Sequence, residues 1–145
     1  MNSLRLRTDA RDAILAHARE GALTTPPSEV CGVLGGRRAS GDDGADTDAV
    51  AVAEPVANVA EDTRTQYVLD PAATVETIDA MEADGHDVVG FYHSHPESDP
   101  VPSRTDEQEA RWTGYVYLVC HPDGRLNAYR FTGDAFEPLE IVDAE

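Results

Sequence analysis

The sequence predicts a single α/β (α+β) domain over residues 1–145, a mixed central β-sheet flanked by helices. Three observations lead there. The 145 residues are enough to bury a core without disulfide or metal staples. Segments of helical and strand periodicity alternate in the order α, β-hairpin, α, β, α, β-hairpin, β. Neither an internal repeat nor an interdomain linker interrupts them.

The first helix is read in TDARDAILAHAREG, residues 8–21, where Ile14, Leu15 and Ala18 recur at helical spacing after a Thr8 cap and Gly21 supplies a stop. EVCGVLGG, residues 29–36, is a short apolar run ending in paired glycines, as suits a buried strand. The polar, acidic RRASGDDGADTD, residues 37–48, reads as a solvated loop, and AVAVAEPVANVA, residues 49–60, as the returning strand. In LDPAATVETIDAMEADG, residues 69–85, Asp70 caps a second helix with Pro71 at its first position and Gly85 near its end. Val75, Ile78 and Met81 form its apolar stripe. DVVGFYHSH, residues 87–95, follows as a central strand and SRTDEQEARW, residues 103–112, as a third helix. YVYLVC and LNAYRF flank Asp123-Gly124 as a β-hairpin, and FEPLEIVDAE, residues 136–145, adds a last edge strand.

The formal charge of −17 argues against nucleic acid and anionic membrane as main partners, because both would be repelled. All 11 basic residues are arginine. That usage, with the surplus of Asp, Glu, Ala and Val, resembles the proteome style of a salt-loving archaeon, so the acidity reads as adaptation to solvent. No stretch reaches the roughly 18 apolar residues of a membrane span and the N-terminus lacks an apolar signal core, so a cytoplasmic protein is expected. Cys31 and Cys120 match no CxxC pattern and are expected to be buried, reduced thiols.

The chemistry concentrates in FYHSHPESDPVPSRTDEQ, residues 91–108. Residues i and i+2 of a strand share a face, so His93 and His95 can aim two imidazoles at one point. Two imidazoles and a carboxylate make a three-ligand Zn²⁺ site whose fourth position holds water, and Asp106 is the candidate third ligand. The same residues also admit plainer roles, since Ser103 and Asp106 have capping-box spacing and an HxH pair occurs by chance on many strands. Asp99 is a possible competing ligand. His86 and His121 read as solvated or capping histidines, and Tyr67, Tyr92 and Trp112 as core or cleft lining.

HSHP, ten residues between His95 and Asp106, and a serine three residues before that aspartate together resemble the JAMM motif of the MPN+ (MPN/JAB-type) zinc metalloproteases. PSEVCGVLGG supplies a glutamate, Glu29, where that family carries one, and PVANVA followed by YVLDP resembles the family's segment between first hairpin and second helix. The resemblance spans nearly the whole chain and implies a single cytidine-deaminase-like domain. It also implies one Zn²⁺ held by His93, His95 and Asp106, Glu29 as general base and Ser103 as donor to the oxyanion. The implied substrates are conjugates of ubiquitin-like modifier proteins, cut between the modifier's C-terminal glycine and a lysine side chain. Alternatives are trimming of a residue from a ubiquitin-like sulfur carrier and a non-catalytic scaffold. An extended substrate tail is expected to pair with an exposed sheet edge at GVLGG and the strand beside it. Oligomeric state is left open.

Overall fold

The computed structural model describes residues 3–39 and 47–144. Most of the loop expected over residues 37–48 lies outside the described residues. The elements are β1 (Ser3–Arg7), α1 (Thr8–Ala22), β2 (Cys31–Arg37), β3 (Asp48–Val56), α2 (Pro71–Ala83), β4 (Asp87–Ser94), α3 (Arg104–Glu109), β5 (Val116–Cys120), β6 (Leu126–Phe131) and β7 (Phe136–Ala144). No helix among the described residues is long and apolar enough to cross a membrane.

The strands close into a barrel in the order β1-β3-β2-β4-β5-β6-β7, with β7 returning to pair in parallel with β1. Three sequence-based expectations are corrected here. Residues 3–7, left unassigned, form a strand whose Leu4 and Leu6 are buried while Arg5 and Arg7 are exposed. β7 is no edge, because that new strand covers its free side. β2, which carries GVLGG, pairs with β3 on one side and β4 on the other, so it offers no edge to a substrate tail.

Helix ends follow local chemistry, with exceptions. Asp70 caps α2 by accepting from the Ala73 N–H at 3.2 Å, and Gly85 leaves it at φ +86°, a conformation that favours glycine. Thr8 is instead the first helical residue of α1, and Arg7 precedes it without a side-chain cap. Gly21 lies inside that helix, where an added Cβ would come within 2.6 Å of the Ser28 carbonyl. Tight packing, not termination, explains this glycine. In α2 only Met81 of the expected stripe is buried, and Val75 is exposed.

Two apolar clusters sandwich the central strands. Leu4, Leu6, Ile14, Leu34, Val89 and Leu118 belong to the cluster packed on α1, and Val33, Met81, Val88, Phe91 and Phe131 to the one packed on α2. Strand β4 changes phase between them. Leu34 pairs with Gly90 and Gly35 with Val88, so Val89 has no partner of its own in β2 and forms a bulge. The bulge sets Val89 toward α1 and Phe91 toward α2, and His93 and His95 follow Phe91 on that second face. Gly90 permits it, since a Cβ there would meet the Val116 carbonyl oxygen at 1.8 Å.

Candidate metal centre

Three segments meet at the C-terminal end of β4. Cys31 of β2 pairs with His93, which puts both side chains on one face and brings Glu29, two residues earlier, beside His95. Asp106 arrives from the first turn of α3. The capping box there is real: the Ser103 N–H donates to Asp106 Oδ2 at 2.9 Å, and the Asp106 N–H donates to Ser103 Oγ at 3.0 Å. The two roles weighed for this pair are therefore compatible. The cap holds Oδ2 in place while the same atom faces both imidazoles.

His93 Nε2, His95 Nε2 and Asp106 Oδ2 form a nearly equilateral triangle, with separations of 3.2, 3.0 and 3.1 Å. Ligands at about 2.0–2.1 Å from a tetrahedral ion stand about 3.3 Å apart, so the triangle has the dimensions of one face of such a site. The donor set fits as well. His95 Nδ1 lies 2.8 Å from the Asp99 carbonyl and donates to it, which leaves the Nε2 lone pair facing the triangle. Ligand atoms of Glu29, His93 and His95 all lie within 4.8 Å of one another, so the glutamate faces the same space. These residues could hold a metal ion.

Burial shapes their protonation. Glu29 is 5% exposed, its Oε1 finds no hydrogen-bond partner among the described residues, and burial pushes its carboxyl up from an ordinary 4.5 to about 8. Burial also lowers His93, favouring the neutral imidazole that a metal requires, although Asp106 works in the opposite direction. For His95 the burial effect is outweighed by Asp106, the Asp99 carbonyl and Glu29, and the net shift is upward. Asp106 resists burial through its bonds to His93 and His95 and lies well below the usual carboxylate range.

Other candidates separate cleanly. Asp99 contributes its carbonyl, while its carboxylate pairs with Arg125 at 3.1 Å, away from the triangle. His121 lies 3.2 Å from Asp123 in the hairpin turn. Cys31 and Cys120 are buried and free, and they occupy opposite faces because their partners His93 and Ser94 are consecutive in β4. Tyr92 is a core residue whose hydroxyl meets His17 Nδ1 at 2.7 Å. Tyr67 and Trp112 line a groove of about 320 Å³ with Val68, Leu69, Phe91 and Tyr117.

Two residues carried more than their sequence context indicated. The Tyr67 ring stacks on His93 with centroids 4.2 Å apart and planes 18° from parallel. Asn58 uses its whole amide, donating to the carbonyls of Glu29 (2.9 Å) and Gln66 (3.0 Å) and accepting from the N–H groups of Ala60 (3.1 Å) and Val68 (2.9 Å). Neither belongs to a regular element, so no periodicity pointed to them.

Comparison with known proteins agrees with this architecture. The family described as prokaryotic homologs of the JAB domain matches residues 7–132. A desampylase of Haloferax volcanii is 56% identical over 141 residues, covering 96% of this chain and 95% of the relative. A CysO-cysteine peptidase of Mycobacterium tuberculosis is 34% identical over 144 residues, covering 95% and 90%. A solution structure of a Desulfitobacterium hafniense protein superposes with a TM-score of 0.82 at 27% identity, covering 98% of this chain and 93% of that one. On the match over residues 7–132 and these relatives, the chain belongs to the prokaryotic JAB-domain family.

Proposed function

We propose that the protein is a zinc-dependent isopeptidase of the desampylase type, hydrolysing the bond between the C-terminal glycine of a ubiquitin-like modifier and a lysine side chain. The observation that carries this is the triangle of two imidazole nitrogens and one carboxylate oxygen with a buried carboxyl facing it. His93, His95 and Asp106 are the ligands. An ion held there would supply Lewis-acid activation of the water and of the scissile carbonyl.

The chain's own groups do the rest. In its ionised form Glu29, whose Oε1 has no other partner among the described residues, takes the proton from the attacking water and passes it to the leaving amine. Ser103 Oγ accepts from the Asp106 N–H, which leaves its own proton to donate to the developing oxyanion. Because β2 has no free side, the substrate tail needs another edge. Residues 66–69 provide it. Val68 spends its N–H and C=O on Asn58 and Val59, so the backbone groups of Tyr67 and Leu69 point the other way, along the groove, without partners among the described residues. Glycine at the end of the tail suits the close approach of backbone to metal.

The acidic, lysine-free composition supports a protein that works in concentrated salt. The similarity to a CysO-cysteine peptidase favours a second reading, removal of an α-linked residue after the glycine. Rates measured side by side on a Gly-Nε-lysine conjugate and a Gly-cysteine extension distinguish the two. Faster turnover of the lysine conjugate is expected, and clear preference for the cysteine extension would overturn the assignment.

A further inference from the structure

We propose that Tyr67 is a positioning residue for His93, its ring doing by stacking what the Asp99 carbonyl does for His95 by hydrogen bonding. The inference rests on the metal reading above and adds a residue to it. The two imidazoles are supported unequally. His95 is pinned by the bond from its Nδ1 to Asp99, which fixes both the ring plane and the nitrogen that faces the triangle. His93 is 2% exposed, yet its Nδ1 has no hydrogen-bond partner among the described residues. Among the described residues no polar group bonds Nδ1 to set the orientation of that ring, and rotation about the second side-chain torsion of histidine is intrinsically broad.

The Tyr67 ring occupies that role. At 4.2 Å and 18° it lies nearly flat on the imidazole and prevents the plane from turning, while Asp106, 3.0 Å from Nε2, selects which edge faces inward. Tyr67 is itself held. Asn58 bonds Gln66 and Val68 on either side of it and ties both to the Glu29 carbonyl, so the segment bearing the stacking ring is tied to the one that carries the glutamate ahead of β2. Tyr67 also belongs to the backbone edge offered to the substrate tail.

The test is zinc affinity of the full-length chain, read by competition with a chromophoric chelator at fixed salt, for the wild type, Tyr67→Phe, Tyr67→Leu and Tyr67→Thr. Circular dichroism and metal-free melting curves identify which variants are folded, and either variant without a ring suffices. Tyr67→Phe keeps the flat ring and should bind within about twofold of wild type. The variants without a ring, Tyr67→Leu and Tyr67→Thr, should bind roughly tenfold or more weakly, the range seen when an outer support of a metal ligand is lost. Wild-type affinity in a folded Tyr67→Leu or Tyr67→Thr overturns the proposal, as does Tyr67→Phe weakened as much as they are. No zinc uptake by the wild type removes the metal reading itself and this inference with it.

Discussion

Replacing Glu29 by glutamine should stabilise the metal-free protein and remove the activity of the zinc-loaded one. Glu29 is buried and its carboxyl is raised from 4.5 to about 8, chiefly by loss of solvent. The unfolded chain ionises near 4.5 and the folded chain only near 8. Stability conferred by the neutral group is therefore fully present below pH 4.5 and is lost as pH rises through 8. A shift of about 3.5 units at 1.36 kcal/mol each is on the order of 5 kcal/mol. Glutamine keeps the shape and cannot ionise, and the other titrating groups are common to both proteins. Urea or thermal unfolding of the two metal-free proteins across pH 4.5–9 measures the difference directly. The proteins should be similar at pH 4.5, with Glu29→Gln gaining several kcal/mol, or roughly 10 °C or more, by pH 8–9. The reasoning fails if the gap does not widen with pH. In the zinc-loaded protein the same substitution should retain the metal and lose about 10²–10⁴ in turnover.

Further expectations address the scaffold and the ligands. Gly90→Ala should destabilise by about 3 kcal/mol or more, measured by denaturant titration, because its Cβ would meet the Val116 carbonyl at 1.8 Å across the β4–β5 ladder. Asp106→Ala should abolish zinc uptake and also lose about 1 kcal/mol of metal-free stability, since the same carboxylate oxygen completes the α3 cap; elemental analysis and melting curves read the two effects separately. Melting temperature should climb as salt rises into the molar range, where the screening length falls to about 3 Å and the −17 charge repels itself less, and a salt-independent melting point would contradict the halophilic reading.

Local signals account for what was legible in advance. Asp70, Pro71 and Gly85 bracket α2, and Asp123-Gly124 turns the β5–β6 hairpin, because each needs only its sequence neighbours. Strand period put His93 and His95 on one face, and the resemblance of the segment to the JAMM motif singled out Asp106 as their companion. What stayed hidden is non-local. β1 is five residues long and gains its identity from parallel pairing with β3 and β7, the latter more than 130 positions away. That closure also covers the outer side of β3, the strand beside GVLGG, while β2 itself lies between β3 and β4. The supporting roles of Asn58, Tyr67 and the Asp99 carbonyl depend on irregular segments brought together by the barrel, and they carry no periodicity.

The most direct measurement is identification of the cleaved bond. Zinc-loaded protein is incubated with a lysine-linked conjugate of a ubiquitin-like modifier, and the products are weighed by mass spectrometry with and without a chelator. The expected products are an intact modifier ending in glycine and a target with its lysine amine restored, formed only when the metal is present. A conjugate left uncut by the loaded protein, a cut at any other bond, or cleavage undiminished by chelation would contradict the assignment of His93, His95, Asp106 and Glu29 as a metal-dependent isopeptidase centre.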